Sequence, residues 1–249
     1  MNHLTILGCR LDAIDADEAT RRIAMLAEGS RPSQVVTLGT EMVVHAQKDD
    51  AFRAVVNGCA LALCDTVGLL AVARARGARL RERVTGVDLI EHVCALAAGA
   101  GHSVYLFGGA PGLADAAAGA LRSRYPGLRI AGTRHGFFEA NDATRIAGDI
   151  RASGARILFA GLGSPRQEMW LASHLSATGA GVGIGIGGSF DVISGRVRRA
   201  PDAFRRLHLE WFYRLLREPR RWRRQLALPK FVFLIAADGA RSRFRKKAV

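Results

Sequence analysis

Ile157-Leu-Phe-Ala-Gly-Leu-Gly163, then Ser-Pro and the helical pattern Pro165–Leu175, then Val182-Gly-Ile-Gly-Ile186: this stretch decides the fold. A short apolar run ends in glycines, a helix follows, and a second apolar run closes the unit, which is the pattern of a strand, a crossover helix and a parallel strand. The same unit recurs outward. Runs at Gln34–Thr37, Leu61–Cys64, Val104–Phe107 and Leu128–Ala131 read as further strands. Helices are predicted at Ala13–Leu26, Glu41–Gln47, Gly68–Arg76, Gly86–Ala97, Leu113–Arg124 and Ala143–Ser153. The fold class expected is α/β, a Rossmann-like, mostly parallel sheet with helices on both faces.

Ligands of open α/β sheets bind beyond the carboxyl ends of the strands. The residues there are Thr37, Asp65, Gly108–Gly109, Gly161–Leu162–Gly163 and Gly187–Gly188. Glycine lets a bulky ligand approach the main chain, and Asp65 is the one carboxylate of the set. The glycines of Gly181-Val-Gly-Ile-Gly-Ile-Gly188 fall inside a strand late in the fold, so the segment is weak support for a nicotinamide cofactor. The chain has no Gly-x-x-x-x-Gly-Lys-Ser/Thr loop and no Asp-x-Asp triplet. No cofactor and no metal are expected.

Charge divides the chain. Residues 196–249 hold 17 Lys/Arg against 4 Asp/Glu, whereas residues 1–195 hold 19 against 18. The reading is an α/β domain over 1–195 and a basic helical C-terminal appendage over 196–249, with helices at Leu207–Leu216 and Arg220–Leu228 and Pro201, Pro219 and Pro229 between them. An anionic partner follows: a membrane surface, nucleic acid or a phosphorylated substrate. Trp211, Phe212, Trp222 and Phe231 interleaved with arginine suit a segment lying in a membrane interface. The apolar run Phe231–Ala237 is far shorter than the roughly 20 residues a spanning helix needs. Cys9, Cys59, Cys64 and Cys94 form no Cys-x-x-Cys pair and read as buried free thiols. With no secretory signal visible in residues 1–12, the expected location is the cytoplasm, on the inner face of the plasma membrane.

Several segments together resemble the WecG/TagA/CpsF family of bacterial glycosyltransferases. They are Ile6-Leu-Gly-Cys-Arg-Leu-Asp12, Thr37-Leu-Gly-Thr-Glu-Met-Val43, Asp65, Arg83-Val-Thr-Gly-Val-Asp88, Gly161-Leu-Gly-Ser-Pro-Arg-Gln-Glu168, Gly187-Gly-Ser-Phe-Asp191, Arg199-Ala-Pro201, Glu210-Trp211 and Arg217-Glu-Pro-Arg220. The resemblance implies an inverting, metal-independent transfer of a sugar, such as N-acetylmannosamine, from a UDP-sugar to a polyprenyl-diphosphate-linked sugar in cell-surface polysaccharide synthesis. A sugar hydroxyl needs a carboxylate to take its proton, and Asp65 is the candidate base, with a helix N-cap as its structural alternative. Thr37, Arg83 and Gln167 match polar pocket positions. The alternatives are a helix cap for Thr37 and a surface pair with Glu82 for Arg83. Gly187, Gly188 and Asp191 are candidates for holding the uridine or ribose, with a turn or cap role open for Asp191.

Without a metal, the leaving diphosphate needs fixed cations. The resemblance favours Arg214, Arg221 and Arg224, folded over the site from the appendage, while contact with anionic lipid is the other reading of these arginines. Two positions depart from the family, which usually has asparagine at position 39 and glycine at position 66, where this chain has Gly39 and Thr66. An arginine-rich nucleic-acid-binding protein and a nicotinamide-dependent oxidoreductase are the competing classes. The first explains the charge but not a glycine-lined crevice with one carboxylate.

Overall fold

The computed structural model of the protein describes residues 3–201, 203–204, 209–217, 222 and 226–247, the side chains of residues 214 and 240–247 excepted. The chain opens with an antiparallel hairpin, β1 (His3–Ile6) and β2 (Cys9–Asp12), absent from the sequence reading. Its two-residue turn holds Leu7 at φ 49° and Gly8 at φ 79°, matching the twist a tight hairpin requires. Arg10 and Asp12 turn from this hairpin towards Leu61–Cys64: the buried Asp12 carboxylate accepts the Ala62 N–H at 2.8 Å, and Arg10 donates to the carbonyls of Cys59 and Ala60.

Alternating elements then follow: α1 (Ala16–Glu28), β3 (Ser33–Leu38), α2 (Thr40–Ala46), α3 (Asp50–Gly58), β4 (Leu61–Cys64), α4 (Val67–Ala75), α5 (Gly86–Ala100) and β5 (Ser103–Gly108). Next come α6 (Leu113–Arg124), β6 (Arg129–Arg134), α7 (Ala143–Ala152), β7 (Ile157–Gly161), α8 (Arg166–Thr178), β8 (Val182–Gly185) and α9 (Ser189–Ile193). The expected helix from Ala13 begins three residues later because Asp15 caps it, accepting the Glu18 N–H at 3.0 Å. Helices α3 and α9 are additional to the sequence reading. The strand expected at Leu128–Ala131 runs on to Arg134 as an edge strand.

Strands β3 to β8 form one parallel sheet in the order β4-β3-β8-β7-β5-β6. The α/β class expected from the apolar runs is what forms. Alternate residues of one strand enter different cores, as the two-residue period demands: Ile157 and Phe159 pack with α1, α5, α6 and α9, while Leu158 and Ala160 pack with α7 and α8. Near β3 and β4 that second face is covered by the hairpin and by α2, α3 and α4.

Two C-terminal helices are described, α10 (Glu210–Arg217) and α11 (Ala227–Lys247). The first overlaps the helix expected at Leu207–Leu216; most of the one expected at Arg220–Leu228 lies outside the described residues. Helix α11 packs against α2, and its Phe231, 2% exposed, joins the core of Leu38, Met42 and Leu69. Among the described residues no helix is long and apolar enough to cross a membrane.

Candidate active site

Strands β5 and β7 are neighbours whose connections leave in opposite directions, β5 to the edge strand β6 and β7 towards β8. Such a divergence opens a crevice at the carboxyl ends. A cavity of about 420 Å³ lies there, between Gly109, Gly136, Gly161 and Leu162, with Arg166, Asp191 and Arg196 on its walls. Main chain forms its floor because side chains are excluded: at Gly108, φ 144°, a Cβ would stand 2.3 Å from the Gly161 oxygen. Gly109 N–H donates to that oxygen at 3.0 Å, and Gly136 N–H donates to the Gly109 oxygen at 2.8 Å, lacing the floor together. Phe137 stands 67% exposed at the rim. Arg166 is held over the Phe138 ring, its guanidinium carbon 4.2 Å from the centroid, and donates to the Phe138 carbonyl.

One strand over, the Gly187 turn follows β8. Gln167, 2% exposed on α8, fixes it: its Oε1 accepts the Gly187 N–H at 3.0 Å, and its Nε2 donates to Glu168 Oε1 at 2.7 Å. A Cβ at Gly185 would lie 2.9 Å from that Nε2, so glycine there gives the amide its space. Glu168 is fully buried. Burial pushes its carboxyl above the usual range, with the hydrogen bond from Gln167 pulling part of the way back. Thr37, buried on β3, donates its hydroxyl to the Gly185 carbonyl at 2.8 Å, tying β3 to the same turn.

Asp65 stands at the end of β4, partly exposed. Its N–H donates to the Leu38 carbonyl at 3.0 Å, continuing the β3 pairing one residue past the strand, while the Cys64 carbonyl accepts the Val84 N–H at 2.7 Å. Thr66, one residue on, holds the N-cap position of α4. Gly39, and not Thr37, is the N-cap of α2. The two departures at 39 and 66 are neighbours: a Cβ on Gly39 would be 3.3 Å from the Thr66 methyl, and the Thr66 hydroxyl accepts the Thr40 N–H at 3.2 Å. Arg83 does not pair with Glu82. Its Nη2 meets Glu210 Oε2 of α10 at 2.6 Å, and its Nη1 lies 3.5 Å from the Asp65 carbonyl.

A sequence model of the glycosyl transferase WecG/TagA/CpsF family matches residues 4–245. The chain belongs to that family. Among its relatives, a protein of Bacillus spizizenii named N-acetylglucosaminyldiphosphoundecaprenol N-acetyl-beta-D-mannosaminyltransferase is 34% identical over 227 residues, 90% of this chain and 87% of the relative. Proteins of the same name from Bacillus subtilis and Staphylococcus aureus are 33% and 31% identical, covering 82% and 81% of this chain and 79% of each relative. This protein is therefore a glycosyltransferase, and family membership replaces the nucleic-acid and oxidoreductase alternatives.

The glycosyltransferase gathers Asp65, Thr37, Arg83, Gln167, Gly187, Gly188 and Asp191 along one edge of its sheet. Asp191 lies in the first turn of α9, where its carbonyl accepts the Val197 N–H at 2.8 Å and brings the chain after α9 back over the crevice. Of the three appendage arginines, Arg221 and Arg224 lie outside the described residues, and for Arg214 only the main chain within α10 is described. Phe137, Arg166 and Arg196 are crevice residues that the sequence reading passed over. The four cysteines are buried and free, with burial pushing the Cys9 thiol up to about 11 and those of Cys59 and Cys64 up to about 12. Among the described residues no three His, Cys, Asp or Glu side chains converge as metal ligands.

Proposed function

We propose that this glycosyltransferase moves N-acetylmannosamine from its UDP conjugate to N-acetylglucosamine carried on a polyprenyl diphosphate, with inversion and without a metal. The acceptor and the transferred sugar are those for which its relatives are named. The observation that carries the reading is the order of groups along the carboxyl edge of the sheet. The crevice lies at β5 and β7, the Gly187 turn at β8, Thr37 at β3 and Asp65 at β4. With strands about 4.8 Å apart, Asp65 is about 14 Å from the β7 end. The reading puts the nucleoside in the crevice, the diphosphate along the Gly187 turn, and the sugar beside Asp65, and that span supports it.

In this arrangement Asp65 accepts the proton of the acceptor hydroxyl as its oxygen bonds to the anomeric carbon. The bond from that carbon to the diphosphate oxygen breaks on the opposite face, which inverts the centre and leaves UDP carrying the electron pair. Arg166 and Arg196 on the crevice walls, joined by Arg214, Arg221 and Arg224 from the appendage, offset the charge on the leaving group. Phe137 offers a ring face to the base, and Asp191 a carboxylate to the ribose or base.

The appendage also serves as a membrane foot. Trp211, Phe212, Leu216, Trp222, Val232 and Phe233 are all at least 40% exposed in the region holding 17 Lys/Arg, which fits an interface of acyl chains and anionic headgroups. Such a foot keeps the enzyme on the cytoplasmic face, where its acceptor is anchored. Incubation with a panel of UDP-sugars and a short-chain N-acetylglucosaminyl diphospholipid, read by product mass, tests the proposal. One added N-acetylhexosamine from the N-acetylmannosamine donor is the expected result. No product from any UDP-sugar overturns it.

A further inference from the structure

One group of charges is absorbed by neither the crevice nor the membrane foot. Arg83 lies in the loop that leads from α4 to α5, and Glu210 is the first residue of α10, 127 positions later. They meet at 2.6 Å, with side chains only 17% and 18% exposed. The other oxygen of Glu210 is 3.9 Å from Arg199 Nε, and Arg199 Nη2 is 2.6 Å from Asp88 Oδ1. Asp88 is itself fixed in the first turn of α5, where the Thr85 hydroxyl donates to its Oδ2 at 2.6 Å. Positive and negative groups therefore alternate from Arg83 through Glu210 and Arg199 to Asp88, and two of the four belong to the basic C-terminal region.

We infer that Glu210 is a positioning residue, a latch that seats α10 against the catalytic strand end by way of Arg83. The inference rests on the reading of Asp65 as the base. Three features make a carboxylate at this position suitable. It is acceptor-only with two oxygens, so it serves Arg83 and Arg199 together. It sits at a helix N-terminus, where negative charge is favoured. It is largely shielded from water, where an ion pair is worth more than on the open surface. Arg83 conveys the contact inward, since its Nη1 lies 3.5 Å from the carbonyl of Asp65. Position 214 is one helical turn beyond the latch, so seating Glu210 sets the register of α10 over the site.

Glu210→Gln, Arg83→Met and the double variant test this by hydrogen exchange of the amides of residues 211–217 in the full-length protein. Each single substitution is expected to speed exchange about tenfold, equivalent to 1.4 kcal/mol. The double variant should do no worse than the worse single, because the two remove one shared interaction. Exchange unchanged in Glu210→Gln, or effects that multiply to about a hundredfold in the double variant, overturn the latch. On a water-soluble acceptor, Glu210→Gln should lower kcat about tenfold and leave the acceptor KM within about twofold. A raised KM with unchanged kcat overturns the positioning role. If the wild-type protein transfers no sugar, the proposed reaction fails while the exchange cycle still decides the latch.

Discussion

Replacing Gln167 by methionine, nearly equal in length and volume, isolates what the amide does for the donor path. The substitution removes the acceptor of the half-buried Gly187 N–H, 3.0 Å away, and the donor to the buried Glu168 Oε1, 2.7 Å away, at a side chain 2% exposed. Each orphaned group costs about 1–3 kcal/mol, and the new side chain leaves no large void. A net loss of about 3 kcal/mol is expected. At roughly 2–4 °C per kcal/mol for a chain of this size, Tm should fall by roughly 6–12 °C. Freed of its tether, the Gly187 turn should bind the donor more weakly, raising donor KM roughly tenfold with a smaller change in kcat. Thermal denaturation and donor titration at saturating acceptor measure both. A Tm within a degree of wild type, or an unaltered donor KM, would refute the role given to this amide.

Asp65→Asn should lower turnover by roughly 10²–10⁴-fold with Tm preserved, as loss of a general base predicts; turnover near wild type in a product assay would remove Asp65 from the mechanism. Transfer should persist in excess chelator, and a requirement for added magnesium or manganese would contradict the assignment of the diphosphate to arginines. Burial holds the Glu168 carboxyl above its ordinary value of 4.5, so the folded state binds this proton more tightly than the unfolded chain. Its contribution to stability is thus fully present below 4.5 and is lost as pH rises to the folded value. The stability of Glu168→Gln relative to wild type should therefore rise with pH across that window in parallel denaturant titrations, and a pH-independent difference would show that the group does not titrate there. Val232→Ser with Phe233→Ser removes side chains 66% and 71% exposed. It should weaken binding to anionic vesicles at least about tenfold, from the lost apolar burial, without lowering Tm; unchanged flotation would move the membrane contact elsewhere.

How much of this could be read from the chain alone follows from the range of the interactions. Strands such as Ile157–Gly161 were legible because burial on both faces makes a continuous apolar run that glycine terminates. Asp65 was legible as the carboxylate at a strand end. The first hairpin was not: its strands have four residues each, and Leu7 at φ 49° stands where an asparagine or glycine would have announced the turn. Helix α9 was hidden within a glycine-rich segment that reads as a turn. Partners distant in sequence were beyond local reading altogether. Glu82 beside Arg83 suggested a neighbourly pair, whereas the guanidinium reaches across the fold to Glu210. Gln167 reads as a pocket residue from its motif, yet its donor and acceptor contacts are with Glu168 and the Gly187 main chain. Phe137 enters the crevice from a loop with no periodic pattern, and Arg166, at the start of a helix that was read, carries nothing in its local pattern to say that it lines the crevice.

The way Arg10 and Asp12 meet β4 bears on how this edge of the sheet is kept from pairing with another chain. Strand β4 ends the sheet, and an end strand with free N–H and C=O groups is a template on which another chain can add. Here a carboxylate takes the Ala62 N–H and a guanidinium takes the Cys59 and Ala60 carbonyls, so two side chains of opposite charge occupy the positions a seventh strand would fill. Unlike a strand, this pair ends the ladder and offers nothing onward to extend it.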